Sequence, residues 1–207
     1  MNTAELTEVQ SWLMREWERA RRIEEVMYEV REHYQNLFGE VYKLVRQRHA
    51  YLKEWKPRRL LERTNESSYV DGGGSVGFFN PEWCQAWSGW PSGIWLSNIS
   101  LDELVSATEF PPNVCIWLSV SKETDRRIEV LRRRLSKLYK QRRGSSISFQ
   151  ESDETDPRVC LWYYLPEGRE KLLRMVQQGG GLPFVNSMAT HVGRMAQLLD
   201  GLESMLR

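Results

Sequence analysis

The 207-residue sequence predicts an α+β fold: a long N-terminal amphipathic, coiled-coil-like helix packed with middle and C-terminal helices, and a small, mostly antiparallel sheet of four or five strands. Three observations carry that expectation. An apolar stripe with alternating spacings of three and four runs through the first fifty-odd residues. Short apolar runs bounded by Gly, Pro and Asp follow it. Two more helical stripes lie on either side of the last of those runs.

The N-terminal element is the longest. From Thr3 to Trp55 there is no Pro, and Gly39 is the one Gly. The stripe reads Leu6, Val9, Leu13, Ala20, Ile23, Met27, Val30, Tyr34, Leu37, Val41, Leu44, Tyr51 and Trp55, with Glu16 and Arg48 interrupting it. A 3.5-residue period sustained this far belongs to a supercoiled helix rather than an ordinary surface helix. Pro57 cannot continue the hydrogen-bond ladder and disfavours helix at Lys56, so the run is predicted to stop or kink there. At ~1.5 Å per residue the element spans roughly 80 Å.

A stripe of that length needs cover throughout. The C-terminal helix offers Val185, Met188, Val192, Met195, Leu199, Leu202 and Leu206, and the middle helix Ile128, Leu131, Leu135 and Leu138. The former covers only about half of the long helix, at ~1.5 Å per residue. A homodimer is therefore expected to cover the remainder, with Leu37, Val41 and Leu44 among the partner-binding residues. The alternative is a break at Phe38-Gly39 that yields a self-covering helical hairpin. Residues 1–56 read as a coiled-coil arm, and 57–207 as an α+β domain whose C-terminal helix (183–207) packs back on it.

Beyond Pro57, the run Asp71-Gly72-Gly73-Gly74 signals a turn. Strands are predicted at Val76–Phe79, Gly93–Ile99, Val114–Val120 and Arg158–Leu165, with Ser146–Gln150 as a weaker fifth. Ser100-Leu101-Asp102-Glu103 has the form of a capping box and starts a short helix to about Thr108, ended by Pro111-Pro112. Ser121 caps a helix from about Lys122 to Arg143. A further helix near Gly168–Gln178 stops at three successive glycines, and Pro183 opens the last one.

Alternation within the strands puts Val114, Ile116 and Leu118 on one face with Val159, Leu161 and Tyr163, and Trp95, Trp117 and Trp162 on the other. If the strands pair in register, the three indoles line up. They serve either as core beneath helices or as a stacking platform. Trp83, Trp87 and Trp90 lie in a loop rich in Gly, Ser and Pro, and are read as a protein-binding surface.

Charge is uneven. Between Lys122 and Arg143 there are ten basic and three acidic residues, while the whole chain carries +1. The basic face (Arg126, Arg127, Arg133, Arg134, Lys137, Lys140) suits phosphates, and nucleic-acid binding is the alternative function. A solvated helix paired with Glu24, Glu25, Glu29 and Glu32, or with the acidic loop that follows it, is the structural explanation.

Composition sets the remaining limits. Hydrophobic residues at 41% and charged residues at 28%, with a mean hydropathy of −0.57, exclude a disordered or membrane-embedded chain. Three cysteines outside any CxxC pattern, and no signal-like N-terminus, suit the cytoplasm. His33, His49 and His191 have no carboxylate or second His at ligand spacing, and no catalytic signature, cofactor or metal site emerges. The reading is a non-enzymatic interaction or oligomerisation protein, of adaptor, regulator or inhibitor type.

Overall fold

A computed structural model describes residues 7–58, 74–83, 92–105, 111–118, 130, 133–135, 137, 150–151 and 159–202. The fold is α+β. Helices α1 (Glu8–Arg15) and α2 (Trp17–Arg48) lead into β1 (Glu54–Arg58), β2 (Ser75–Phe79) and β3 (Gly93–Ser97). Then come α3 (Leu101–Val105), β4 (Asn113–Leu118), β5 (Gln150–Glu151), β6 (Val159–Tyr164), α4 (Gly168–Gln177) and α5 (Leu182–Leu199). The six strands form one antiparallel sheet in the order β1-β2-β3-β4-β6-β5.

The long helix differs from the expectation at both ends. Its first segment begins with a capping box: the Thr7 hydroxyl accepts from Gln10 N–H and the Gln10 side chain accepts from Thr7 N–H. The ladder is interrupted at Glu16 (φ −107°, ψ 27°), one of the two charged positions in the stripe. From Trp17 it runs unbroken through Gly39, so the hairpin alternative is not what forms. Helix ends at Arg48 rather than near Trp55, because the chain turns at His49 to put Leu52 into the core and Trp55 onto a strand. The Trp55 indole lies across α2 at Gly39, where an added Cβ would be 3.6 Å from its ring. Tyr51 and Trp55 were thus in phase with the stripe without being helical. Pro57 is tolerated in β1 because that strand is the sheet edge.

One face of the sheet meets the helices. Phe78, Ile94, Ile116 and Leu161 form one cross-strand row, and Val76, Leu96, Val114 and Tyr163 the next. Against them pack Tyr34, Phe38, Val41 and Val45 of α2 and Phe184, Met188, Val192 and Met195 of α5. Three aromatic rings, Tyr34, Phe38 and Phe184, meet at 5.3 to 5.6 Å between centroids where α2 and α5 join. The Tyr34 hydroxyl donates to Ile99 O at 2.5 Å, tying α2 to the end of the β3 connection.

On the opposite face the tryptophans do not line up. The register places Gly77, Trp95, Cys115 and Trp162 in one row, and Gly93, Trp117 and Cys160 in the neighbouring one. Large and small residues therefore alternate across strands. Trp95 is 1% exposed and Cys115 is buried, with Trp117 and Trp162 half-buried beside them. The row is a second small core at Trp95, and the platform reading fails there.

The capping box at Ser100 forms as predicted. The Glu103 carboxylate accepts from Ser100 N–H at 2.9 Å and from its hydroxyl at 2.8 Å, while Glu103 N–H donates back at 3.2 Å. Of the middle helix, Val130, Arg133–Leu135 and Lys137 are helical, and Leu135 joins the core. The rest of Lys122–Arg143, and most of the Asp71–Ser75 turn, lie outside the described residues.

Candidate interaction surface

The stripe divides at Tyr34. Up to that point α2 is uncovered: Ile23, Met27 and Val30 are 48%, 47% and 48% exposed. Beyond it Tyr34, Leu37, Phe38, Val41 and Val45 are buried. At about 100° per residue, Ile23, Met27 and Val30 lie within about 40° of Tyr34 around the axis, so one face changes from bare to covered. Cover begins at Gly181, which approaches Leu37, and follows α5 to its end. There His49 Nδ1 lies 3.1 Å from Asp200 Oδ1, and the Tyr51 hydroxyl donates to Ala196 O at 2.7 Å. The projecting arm is therefore residues 7–33, shorter than the 1–56 expected, at about 40 Å of helix.

Aromatic and aliphatic residues widen the bare stripe. Trp12, Trp17 and Val26 are all exposed beside it. A soluble helix normally turns such side chains toward a core. Trp12, three residues after Val9 and four before Glu16, is in phase with the seam beside Leu13, whereas Trp17 is not, so the place of Trp17 on the same surface was not readable from spacing. Charges border the stripe, including an Arg21–Glu25 ion pair at 3.3 Å, one helical turn apart.

The residues expected to meet a partner are distributed otherwise. Leu37 and Val41 are buried within this chain, so they are unavailable unless α5 lifts away. Leu44 is 37% exposed on the flank. Trp83 belongs to the core, its ring tilted against Tyr51 at 5.8 Å between centroids, which corrects its assignment to a binding loop. Trp87 and Trp90 lie outside the described residues, as do Arg126, Arg127 and Lys140. Arg133, Arg134 and Lys137 are exposed, on the side of their helix turned away from Leu135.

A buried polar chain was invisible to spacing rules. Glu167, between β6 and α4, reaches His191 of α5: its two carboxylate oxygens each lie 3.0 Å from Nε2. His191 Nδ1 is 2.8 Å from the Tyr163 hydroxyl, which also bonds Arg194, and the Ser187 hydroxyl donates to Glu167 at 2.7 Å. Hydrogen-bond logic orders the donors: Arg194 to Tyr163, Tyr163 to Nδ1, and Nε2–H to the carboxylate. Burial raises the Glu167 carboxyl, but the bonds from His191 and Ser187 outweigh it and hold it below the ordinary range. Burial pushes the Tyr163 phenol well up.

A carboxylate, an imidazole and a phenol in a row could relay a proton. However, Tyr163 is 1% and His191 3% exposed, so the phenol and the imidazole are shut away from solvent. The chain instead fastens α5 to β6 and to the start of α4. Elsewhere burial raises the Glu103 carboxyl, against the bonds from Ser100. Among the described residues no three His, Cys, Asp or Glu gather as a metal site, and no helix is long and apolar enough to cross a membrane.

Comparison with protein-family models, with curated proteins and with solved structures yields no match.

Proposed function

We propose that this chain works by protein–protein association through its projecting arm, without a catalytic step of its own. One observation carries the reading: Ile23, Met27 and Val30 continue the core face of α2 yet stand bare, on a helix otherwise rich in charge. Exposed apolar area of this kind is stabilised by burial at roughly 25 cal/mol per Å². Three cysteines outside any CxxC pattern suit a reducing compartment, and a cytoplasmic location goes with the same reading. An adaptor, a regulator or an inhibitor would each use such an arm.

Sedimentation of the full chain from low micromolar concentration upward tests the proposal. The expected outcome is a species of twice the monomer mass or more, lost on Ile23→Asp or Met27→Asp. A monomer throughout that range, with both variants behaving as the parent, overturns it.

A second reading rests on Arg133, Arg134 and Lys137, which stand exposed on one helix. Here the chain binds nucleic acid through phosphates. Replacing the three with Ala should weaken binding and flatten its salt dependence. Absence of any DNA or RNA binding at low salt ends this reading.

A further inference from the structure

We propose that the cover for the bare stripe is the same stripe of a second copy running antiparallel. This rests on the association reading above, and adds the occupant and its direction.

Sterics favour the antiparallel direction. α2 is one uninterrupted helix from Trp17 to Arg48, so bare and covered stretches share one straight face. From Gly181 onward that face is held by α5, which runs in the same direction as α2, from Leu37 at one end to His49 at the other. A parallel second copy laid on the stripe would carry its own residues 34–48 into the volume α5 fills. An antiparallel copy runs the opposite way and places its globular part beyond the first copy's N-terminal end.

The length of the bare stripe fits the same direction. Centre the antiparallel pair between Ala20 and Ile23, and Glu16 faces Met27 while Val9 faces Tyr34. The second copy's Thr7, where its first helix is capped, then comes level with Asn36, beside the Leu37–Gly181 contact. The covering helix thus reaches two or three residues past Tyr34, where this chain's own Ile99 and Phe184 take over as cover, so the seam meets the α2–α5 packing without a gap.

The residues brought face to face differ between the two directions. Parallel register sets Glu16 against Glu16 of the second copy inside the seam, a like-charge contact in a drying environment. Antiparallel register sets it against Met27, at the helix interruption where its carboxylate can turn to water. The same register sets Ala20, the smallest residue of the stripe, against Ile23, so small meets large.

Cysteine pairing in the full chain tests direction separately from association. Glu16→Cys and Met27→Cys are prepared singly and oxidised alone and mixed, with linked peptides mapped by mass spectrometry to distinguish the chain's own Cys84, Cys115 and Cys160. In the antiparallel pair, position 16 of one copy meets 27 of the other, while like positions stand about 16 Å apart along the axis, at 1.5 Å per residue. A disulfide needs Cα atoms within about 7 Å. A covalent dimer of doubled mass is therefore expected only in the mixture. Linkage of either variant with itself, or none in any combination while sedimentation shows a dimer, overturns the antiparallel pairing and leaves association standing. A monomer at every concentration overturns both.

Discussion

Gly181 sits against Leu37 so closely that a Cβ built on it would lie 2.7 Å from both δ-methyl carbons. Its φ of +83° is also one that side chains rarely adopt. The contact marks where α5 takes over as cover for α2. Gly181→Ala should therefore cost about 1–3 kcal/mol, from backbone strain and from the clash. Thermal melts check it, and an unchanged midpoint would mean that α5 starts elsewhere.

Charge placed at the two ends of the stripe should act on different properties. Leu37→Asp or Val41→Asp buries an unpaired carboxylate in the core, and should cost several kcal/mol or prevent folding. Ile23→Asp or Val30→Asp stands on the bare arm and should leave the unfolding free energy of the dissociated chain within about 0.5 kcal/mol of the parent. Denaturation read alongside sedimentation separates the two. Equal losses of stability at both ends would show that the arm is packed within the monomer.

Gly77 and Trp95 face each other across β2 and β3, and the indole lies where a Gly77 side chain would go, 2.6 Å from an added Cβ. Gly77→Val should displace the ring and cost about 1–3 kcal/mol. A blue-to-red change in tryptophan emission as Trp95 gains water would accompany the loss. A Gly77→Val protein with parent stability and emission would contradict this packing.

Acid should weaken the α5 anchor. Hydrogen bonds in the fold hold Glu167 below its ordinary range, so its contribution is complete above that range and is lost as pH falls through the folded value. Glu103, raised by burial, works in the opposite sense: its ionisation costs the folded state stability as pH rises through the carboxyl range. Glu167→Gln should therefore melt below the parent near neutral pH, with the gap narrowing from about pH 5 to about pH 3. A gap that stays constant over that interval would show that Glu167 is not ionised in the fold.

Much of the architecture was readable from local pattern. The strands expected at Val76–Phe79, Gly93–Ile99, Val114–Val120 and Arg158–Leu165 formed over most of their described residues, as did the Ser100–Glu103 capping box and the final helix after three glycines and Pro183, while of Ser146–Gln150 only Gln150 lies among the described residues, in β5. The edge strand Glu54–Arg58 was not readable, because Trp55 fell in phase with the stripe and Pro57 looked like a stop. The three-indole row failed for a related reason. Alternation assigns faces, but register across strands belongs to pairs of segments, and it set each indole beside Gly or Cys.

By itself the sequence determined that one long helix carries an apolar stripe in need of cover along its length. That follows from period and length, which are local and additive along a helix. Tertiary structure alone decided which part of the stripe is spent inward. Burial depends on what arrives from elsewhere: Gly181 and Phe184 meet α2 at Leu37 and Tyr34, so residues beyond them became core and those before them stayed bare. It likewise brought Glu167 to His191 and Asp200 to His49, pairings that exist because separated segments fold onto one sheet.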